Sequence, residues 1–370
     1  GYWPSGICNH ILVLPDHKVL SLAALEKVAQ LLESGARVIG PKPDKLVSLV
    51  GGEAAPRQFH ILSDSLWGNA ETASGEKTVG RGTLVWGLDA RDYLQRLGIP
   101  RDFEVPGAKD PLDYQYIHYT IDDAEVYFVS NQTREIRSIN AAFRVSGKQP
   151  EIWDPLTGAI TRVSAFEQEN DRTAVPLELD PYGSYFVVFR EPIPPTLQGK
   201  SGSNHAVLKQ IGSIPGPWQV EFDPAWGGPV SVEFSELTDW SHHPDEGIRY
   251  YSGVAVYRNA FEFTPAEPQR YWLQLNRVAD VGVASVSLNR IDLGITWTPP
   301  FRLEITDALM DGQNHLEVTV VNSWQNRLIG DRGKPESQRV TQTNVRIRDD
   351  WILRSSGLLG PVEIFGDIIH

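Results

Sequence analysis

The chain has 370 residues, of which 41% are apolar and 22% charged, enough to bury more than one core and to make about two to three domains. Acidic residues outnumber basic ones by 47 to 34, for a net charge of −13; this excludes the basic surface that a nucleic acid or an anionic membrane requires. No apolar run approaches the roughly 18 residues of a membrane span, and the single cysteine, Cys8, excludes both an intramolecular disulfide framework and a cysteine-rich metal site.

The chain opens Gly1-Tyr2-Trp3-Pro4 with no initiator methionine, its one methionine being Met310, and no basic-then-apolar leader follows. That start is expected of a processed chain or a piece of a longer polypeptide. Residues 11–14 are a continuous apolar run ended by Pro15-Asp16, the pattern of a buried parallel strand. Ser21 can cap a helix whose apolar face is Leu22, Leu25, Val28, Ala29 and Leu32, and Gly35 stands where a helix terminator belongs. Residues 37–40 restart as a strand, completing a β-α-β unit with a parallel pair and right-handed crossover. A strand over 80–86 and a helix over 89–97, closed by Gly98, finish an α/β domain at 1–105.

From 106 the character changes. Residues 114–120, 124–131, 138–145 and 184–190 are β-rich and separated by turn residues, as in a small β-sandwich over 106–192. The tripeptide Asn131-Gln132-Thr133 is a glycosylation sequon that matters only in a eukaryotic secretory setting. The stretch 191–205 is Pro-rich and then Gly/Ser-rich, which places a linker at 193–205. Beyond it, residues 218–222, 230–234, 253–264, 271–275, 281–288, 301–305 and 315–322 alternate or carry β-branched residues. A two-sheet jelly roll over 206–370 fits them.

The chain lacks the local signatures of several chemistries. There is no Gly-x-Ser-x-Gly elbow. The first strand runs into Leu14-Pro15-Asp16-His17 rather than a glycine loop, so its backbone cannot approach a pyrophosphate. His242-His243-Pro244-Asp245-Glu246 is the one cluster of metal-ligand types, and adjacent histidines do not easily reach one ion, which favours a solvated loop. Asp122-Asp123 and Asp349-Asp350 read as turn charges. No complete catalytic constellation, metal site or cofactor site is expected. What remains are aromatics beside planar polar side chains, the mixture that binds sugars. They fall in 240–257, with Trp240 and Tyr251, and in 322–331, with Asn322, Trp324, Asn326, Arg327 and Asp331. The alternative is that the aromatics fill the core and that Arg327 pairs with Asp331 to fix a loop.

Leu237-Thr238-Asp239-Trp240 and 247–257 resemble the galactose-binding-like jelly roll of glycoside hydrolase family 2 and its relatives. The run 288–301, which holds Trp297, looks like the same module's turn and strand. Residues 322–331 and Ser356-Gly357-Leu358-Leu359-Gly360-Pro361-Val362 are similar to the C-terminus of glycoside hydrolase family 106, the α-L-rhamnosidases. Residues 11–16 and 32–41 look like that family's amidotransferase-like α/β module, and 128–132 and 151–158 like its small sandwich.

The resemblance implies a flavodoxin- or amidotransferase-like α/β layer followed by two all-β domains, in a bacterial, exported (extracellular or periplasmic) protein. It implies partners in rhamnose-containing glycans and in the catalytic domain of the same parent. In that family a barrel bearing the catalytic carboxylates and the metal site precedes these modules. Nothing here corresponds to it, so no catalytic residue is carried over and the chain alone is expected to be inactive. The sugar-contact candidates are Trp240, Tyr251, Trp297, Trp324, Asn322, Asn326, Arg327 and Asp331. The alternatives are a stand-alone carbohydrate-binding module and a purely structural one.

Overall fold

The structure, a computed structural model, describes residues 9–48, 50–68, 73–197, 202–266 and 270–367. Cys8 and the opening Gly1-Tyr2-Trp3-Pro4 lie outside the described residues. The chain divides into two compact units, Gly1–Arg101 and Asp102–His370. It is a multi-domain fold made mostly of sheets with few helices.

In the first unit the strands Ile11–Val13, Arg37–Ile39, Gly82–Trp86 and Gly75–Val79 lie in that order in one sheet. The first three are parallel and the last is antiparallel. Ser21 accepts a hydrogen bond from Ala24 N (3.2 Å) and caps the helix Leu22–Glu33, which buries Leu25, Val28 and Leu32; Gly35 follows at φ +102°. The strand expected from 80 starts at Gly82, because 80–81 form the turn of a hairpin. A Cβ on Gly82 would stand 2.5 Å from the Leu32 and Ala36 carbonyl oxygens, so helix and strand pack this closely only over glycine. The helix Ala55–Trp67 was not legible in the sequence. It buries Phe59, Ser63, Leu66 and Trp67, and Ser63 Oγ and Trp67 Nε1 donate to the carbonyls of Pro43 (2.7 Å) and Gly40 (3.1 Å).

The second unit begins earlier than the expected boundary at 106. Phe103–Glu104 already pairs with Arg137–Phe143, and Phe103 sits in the core with Tyr127, Val129, Phe143, Val175, Leu177, Val187 and Phe189. Two sheets face each other across that core. One runs Glu167–Glu169, Arg172–Leu179, Arg137–Phe143, Phe103–Glu104; the other runs Ile160–Arg162, Lys148–Trp153, Ser184–Pro192, Ala124–Asn131, Tyr114–Ile121. The sequon asparagine is committed to the fold. Asn131 is buried, and its amide donates to the carbonyls of Glu135 (2.8 Å) and Asp180 (2.9 Å).

The expected linker is held at both ends. It follows directly on the strand Ser184–Pro192, where Ile193 N donates to Gly147 O (3.1 Å), and Asn204 Nδ2 donates to Ala165 O (2.8 Å) and Pro176 O (3.2 Å). Beyond it the strands form a four-stranded sheet, a six-stranded sheet and the short pair Val278–Ala279 with Gly357–Leu358. The six-stranded sheet runs Ser231–Phe234, Trp218–Phe222, Val254–Phe263, Gly312–Val321, Val283–Leu288, Ile291–Thr296, all antiparallel. Strict alternation, as in Trp218–Phe222, sends Trp218, Val220 and Phe222 inward and Gln219 and Glu221 to solvent.

Candidate functional site

Phe222, Ala255, Val320, Ala284 and Thr296 stand in one lateral row of the six-stranded sheet. The strands ending at Phe222, Val321 and Thr296 therefore release their chains at the same end. From those three exits come Trp226, Trp324 and Trp297. With strands spaced about 4.8 Å, the outer two exits stand roughly 19 Å apart. Trp324 is 48% exposed and Trp297 61% exposed. Trp226 packs its ring edge-on against Trp324 (centroids 4.7 Å, planes at 71°). Sequence reasoning missed Trp226; the signal was Asp223-Pro224-Ala225-Trp226-Gly227, an aromatic inside a capped turn. Asp223 Oδ1 accepts from Ala225 N (2.8 Å) and closes a single helical turn there.

The other candidates do not face solvent. Trp240 and Tyr251 are fully buried, and Phe222 packs edge-on against both. Their large apolar faces fill the space between the sheets, so neither can stack on a sugar. Tyr251 Oη donates to Val254 O (2.7 Å); Trp240 Nε1 donates to Tyr257 Oη (2.7 Å). Burial holds the Tyr257 hydroxyl well above the ordinary phenol range.

Asn322, Asn326, Arg327 and Asp331 are also buried, and they bind protein rather than ligand. Asn322 Oδ1 accepts from Gly253 N (2.8 Å) while its amide donates to Tyr251 O (2.8 Å). Asn326 Nδ2 donates to Arg354 O (2.7 Å), and its Oδ1 accepts from Arg354 N (2.8 Å). Arg327 N donates to Ser252 Oγ (3.0 Å). Its guanidinium lies 3.3 Å from Asp331 and over the Tyr250 ring. Asp331 Oδ2 accepts from both the N–H and the hydroxyl of Thr341 (2.7 Å each). These bonds stitch the chain segments around Trp324 into one plate. Gly330 makes the plate possible, because a Cβ there would come within 2.6 Å of Arg327 Nη2 and Tyr250.

Burial alone would raise the Asp331 carboxyl; the Thr341 donors, the Val340 N–H and Arg327 outweigh it and hold the carboxyl below its ordinary value. A carboxylate so lowered adds stability that is fully present above the unfolded value of about 3.9 and is lost as pH falls through the folded value. The expected outcome is an acid limb below about pH 4 in the melting temperature, shallower in Asp331→Asn. Thermal scans between pH 6 and 2 check it, and identical limbs would remove Asp331 as its source.

Two groups carry chemistry-bearing residues without making a reaction centre. His243 lies over the Phe234 ring (centroids 5.6 Å), and its Nδ1 accepts from Asp245 N (3.1 Å). In the smaller sandwich, His118 stands between two carboxylates, Asp102 (2.6 Å) and Glu125 (2.7 Å), and stacks on Tyr127 at 3.9 Å. Both ring nitrogens are taken up by those carboxylates, and Arg144 also holds Asp102 (2.8 Å).

These features define a β-rich, multi-domain chain whose exposed tryptophans stand at one end of the six-stranded sheet, beside a buried polar network. Residues 2–168 match the profile of glycoside hydrolase family 106, alpha-L-rhamnosidase. The chain is similar to the rhamnosidase structure from Novosphingobium sp. PP1Y, with 34% identity and a TM-score of 0.73, over 98% of this chain and 34% of that one. It is also 22% identical to a curated protein of Formosa agariphila that carries a provisional beta-glucuronidase name, over 98% of this chain and 51% of that protein. The chain thus spans about half of the curated relative and a third of the rhamnosidase. By these matches the chain is similar to a partial region of glycoside hydrolase family 106 proteins.

Proposed function

We propose that the chain is the C-terminal, non-catalytic region of an α-L-rhamnosidase, with the barrel that cleaves the glycosidic bond outside these residues. The observation that carries this reading is the coverage: nearly all of this chain aligns with a rhamnosidase of which it spans only 34%. On this reading, 1–105 is an amidotransferase-like α/β layer, 106–192 a small sandwich, and 206–370 a galactose-binding-like jelly roll. The modules support the barrel, and the Trp226–Trp324 end faces carbohydrate at or near the cleft. Hydrolysis needs an acid and a base or nucleophile at set separation about the bond. The His118 cluster does not offer them, since its carboxylates are occupied by an imidazole and a guanidinium.

The isolated chain is expected to release no measurable nitrophenol from an aryl α-L-rhamnoside. Turnover that survives repurification of the chain would overturn the reading.

A second reading, a carbohydrate-binding module without catalysis, is favoured by one observation: Trp324 and Trp297 remain about half exposed or more. Trp324 with Trp226 packed on it forms an apolar patch, the kind of surface that marks an interaction site. Trp324→Ala is expected to change stability by no more than about 1 kcal/mol while weakening binding of rhamnose-containing oligosaccharides. Titration calorimetry beside a melting curve separates the two effects, and flat heats with the parent chain would discard this reading.

A further inference from the structure

The solvent face of the six-stranded sheet carries a groove of about 740 Å³, within the size range of ligand sites. It lies toward the end of the sheet opposite the exposed tryptophans. Its floor is one lateral row, Glu233, Gln219, Arg258, Glu317 and Ser287, aligned by the register of five neighbouring strands. Four interstrand spacings make that row roughly 19 Å long. The next row adds Ala260 and His315, and Arg290 closes one side. Arg290 stands at φ +69°, a tight-turn position that glycine would hold at less cost.

The groove is built before any ligand arrives. The wall at 215–217 is tied to the floor by Asn259 Nδ2, which donates to Pro215 O (2.8 Å) and Pro217 O (3.0 Å). Arg258 is fixed flat between Glu221 and Glu317. By contrast, the side chains of Glu233, Glu262, Arg290 and His315 line the groove with no ion pair or hydrogen bond among the described residues.

We propose that this groove binds a neutral oligosaccharide lying across the strands. Planar carboxylate, amide, guanidinium and imidazole groups accept and donate to neighbouring hydroxyls in pairs. Ala260, Pro215 and Pro217 offer apolar surface to the sugar's C–H faces. Three glutamates against two arginines leave the lining net acidic, which repels uronates, phosphates and nucleic acids. The length of the row suits several sugar units rather than one. No tryptophan lines the groove, so it is chemically distinct from the Trp226–Trp324 end and needs no catalytic barrel to function.

The test is binding by the full chain to neutral rhamno-, xylo-, gluco-, manno- and galacto-oligosaccharides of four to eight units, beside oligogalacturonides of the same length. At least one neutral series is expected to bind, with affinity rising with chain length. Ala260→Trp, which fills the floor, and Arg290→Ala, on an exposed turn, are each expected to weaken it about tenfold or more. Tyr119→Ala, which removes an exposed aromatic outside the groove lining, is expected to leave it unchanged. Melting curves establish that each variant is folded; if Ala260→Trp is not, Arg290→Ala and Gln219→Ala decide. No neutral oligosaccharide bound, as when another part of the parent protein covers this face, overturns the proposal. So do oligogalacturonides bound as tightly, or affinity lost with Trp324→Ala and retained in the groove variants.

Discussion

Asp331→Ala is expected to destabilise the Asp102–His370 unit by about 3–5 kcal/mol, the cost of removing one partner from a buried ion pair. Arg327 is 3% exposed and Asp331 1%, so the guanidinium left behind would have no water to replace its counter-charge. The loss extends further, because Asp331 also accepts both donors of Thr341. The pair is not ideally formed. Arg327 Nη2 approaches Asp331 at 3.3 Å, yet Arg327 Nε and Asp331 Oδ1 make no hydrogen bond. The desolvation cost of the two charges is therefore incompletely offset. It follows that replacing both, as Arg327→Met with Asp331→Leu, is expected to cost much less than the sum of the single changes. Guanidinium unfolding followed by tryptophan fluorescence gives the cycle. Single variants within about 0.5 kcal/mol of the parent would show that the plate around Trp324 is not held by this charge pair.

The same residues show how far sequence carried the reading. The helix Leu22–Glu33 was legible because cap, periodicity and terminator agree at Ser21, Leu25–Leu32 and Gly35. Strands such as Val254–Phe263 were legible from alternation. The strands Ile160–Arg162 and Glu167–Glu169 were not, being exposed throughout; only pairing with a neighbour makes them strands. Leu208–Ser213 and Glu363–Asp367 pair with each other although far apart in the chain, a separation that local patterning does not encode.

The candidate site was legible in residue type and not in orientation. Trp297 and Trp324 do face solvent, but Trp240 and Tyr251, equally rich in polar neighbours, face the core. Asn326 and Asp331 have their partners at Arg354 and Thr341, which sequence places in an unrelated stretch. The groove on the sheet was not anticipated at all. Its residues come from six strands, the 215–217 loop and a turn, a gathering that no local motif announces.

Trp240→Ala is expected to cost about 3–5 kcal/mol, the range for deleting a large buried aromatic. The indole is fully buried and stacks near-parallel to Tyr257 (planes at 7°), with Phe222 and Tyr251 edge-on. Its N–H donates to Tyr257 Oη, which also accepts from Leu358 N. That hydroxyl ties the six-stranded sheet to the chain's final strands. Gly357 threads past both rings at φ +105°, where a Cβ would stand 2.6 Å from Trp240 Nε1 and 2.9 Å from Tyr257 Oη. Gly357→Ala therefore meets both a left-handed backbone and a filled space, and the rings around it cannot withdraw without opening the core. Its loss is expected to approach that of Trp240→Ala although it only adds a methyl group. Tyr257→Phe keeps the packing and removes one acceptor, so about 1–3 kcal/mol is expected. If Trp240→Ala melts like the parent and abolishes sugar binding instead, the indole is a ligand platform and the core assignment fails.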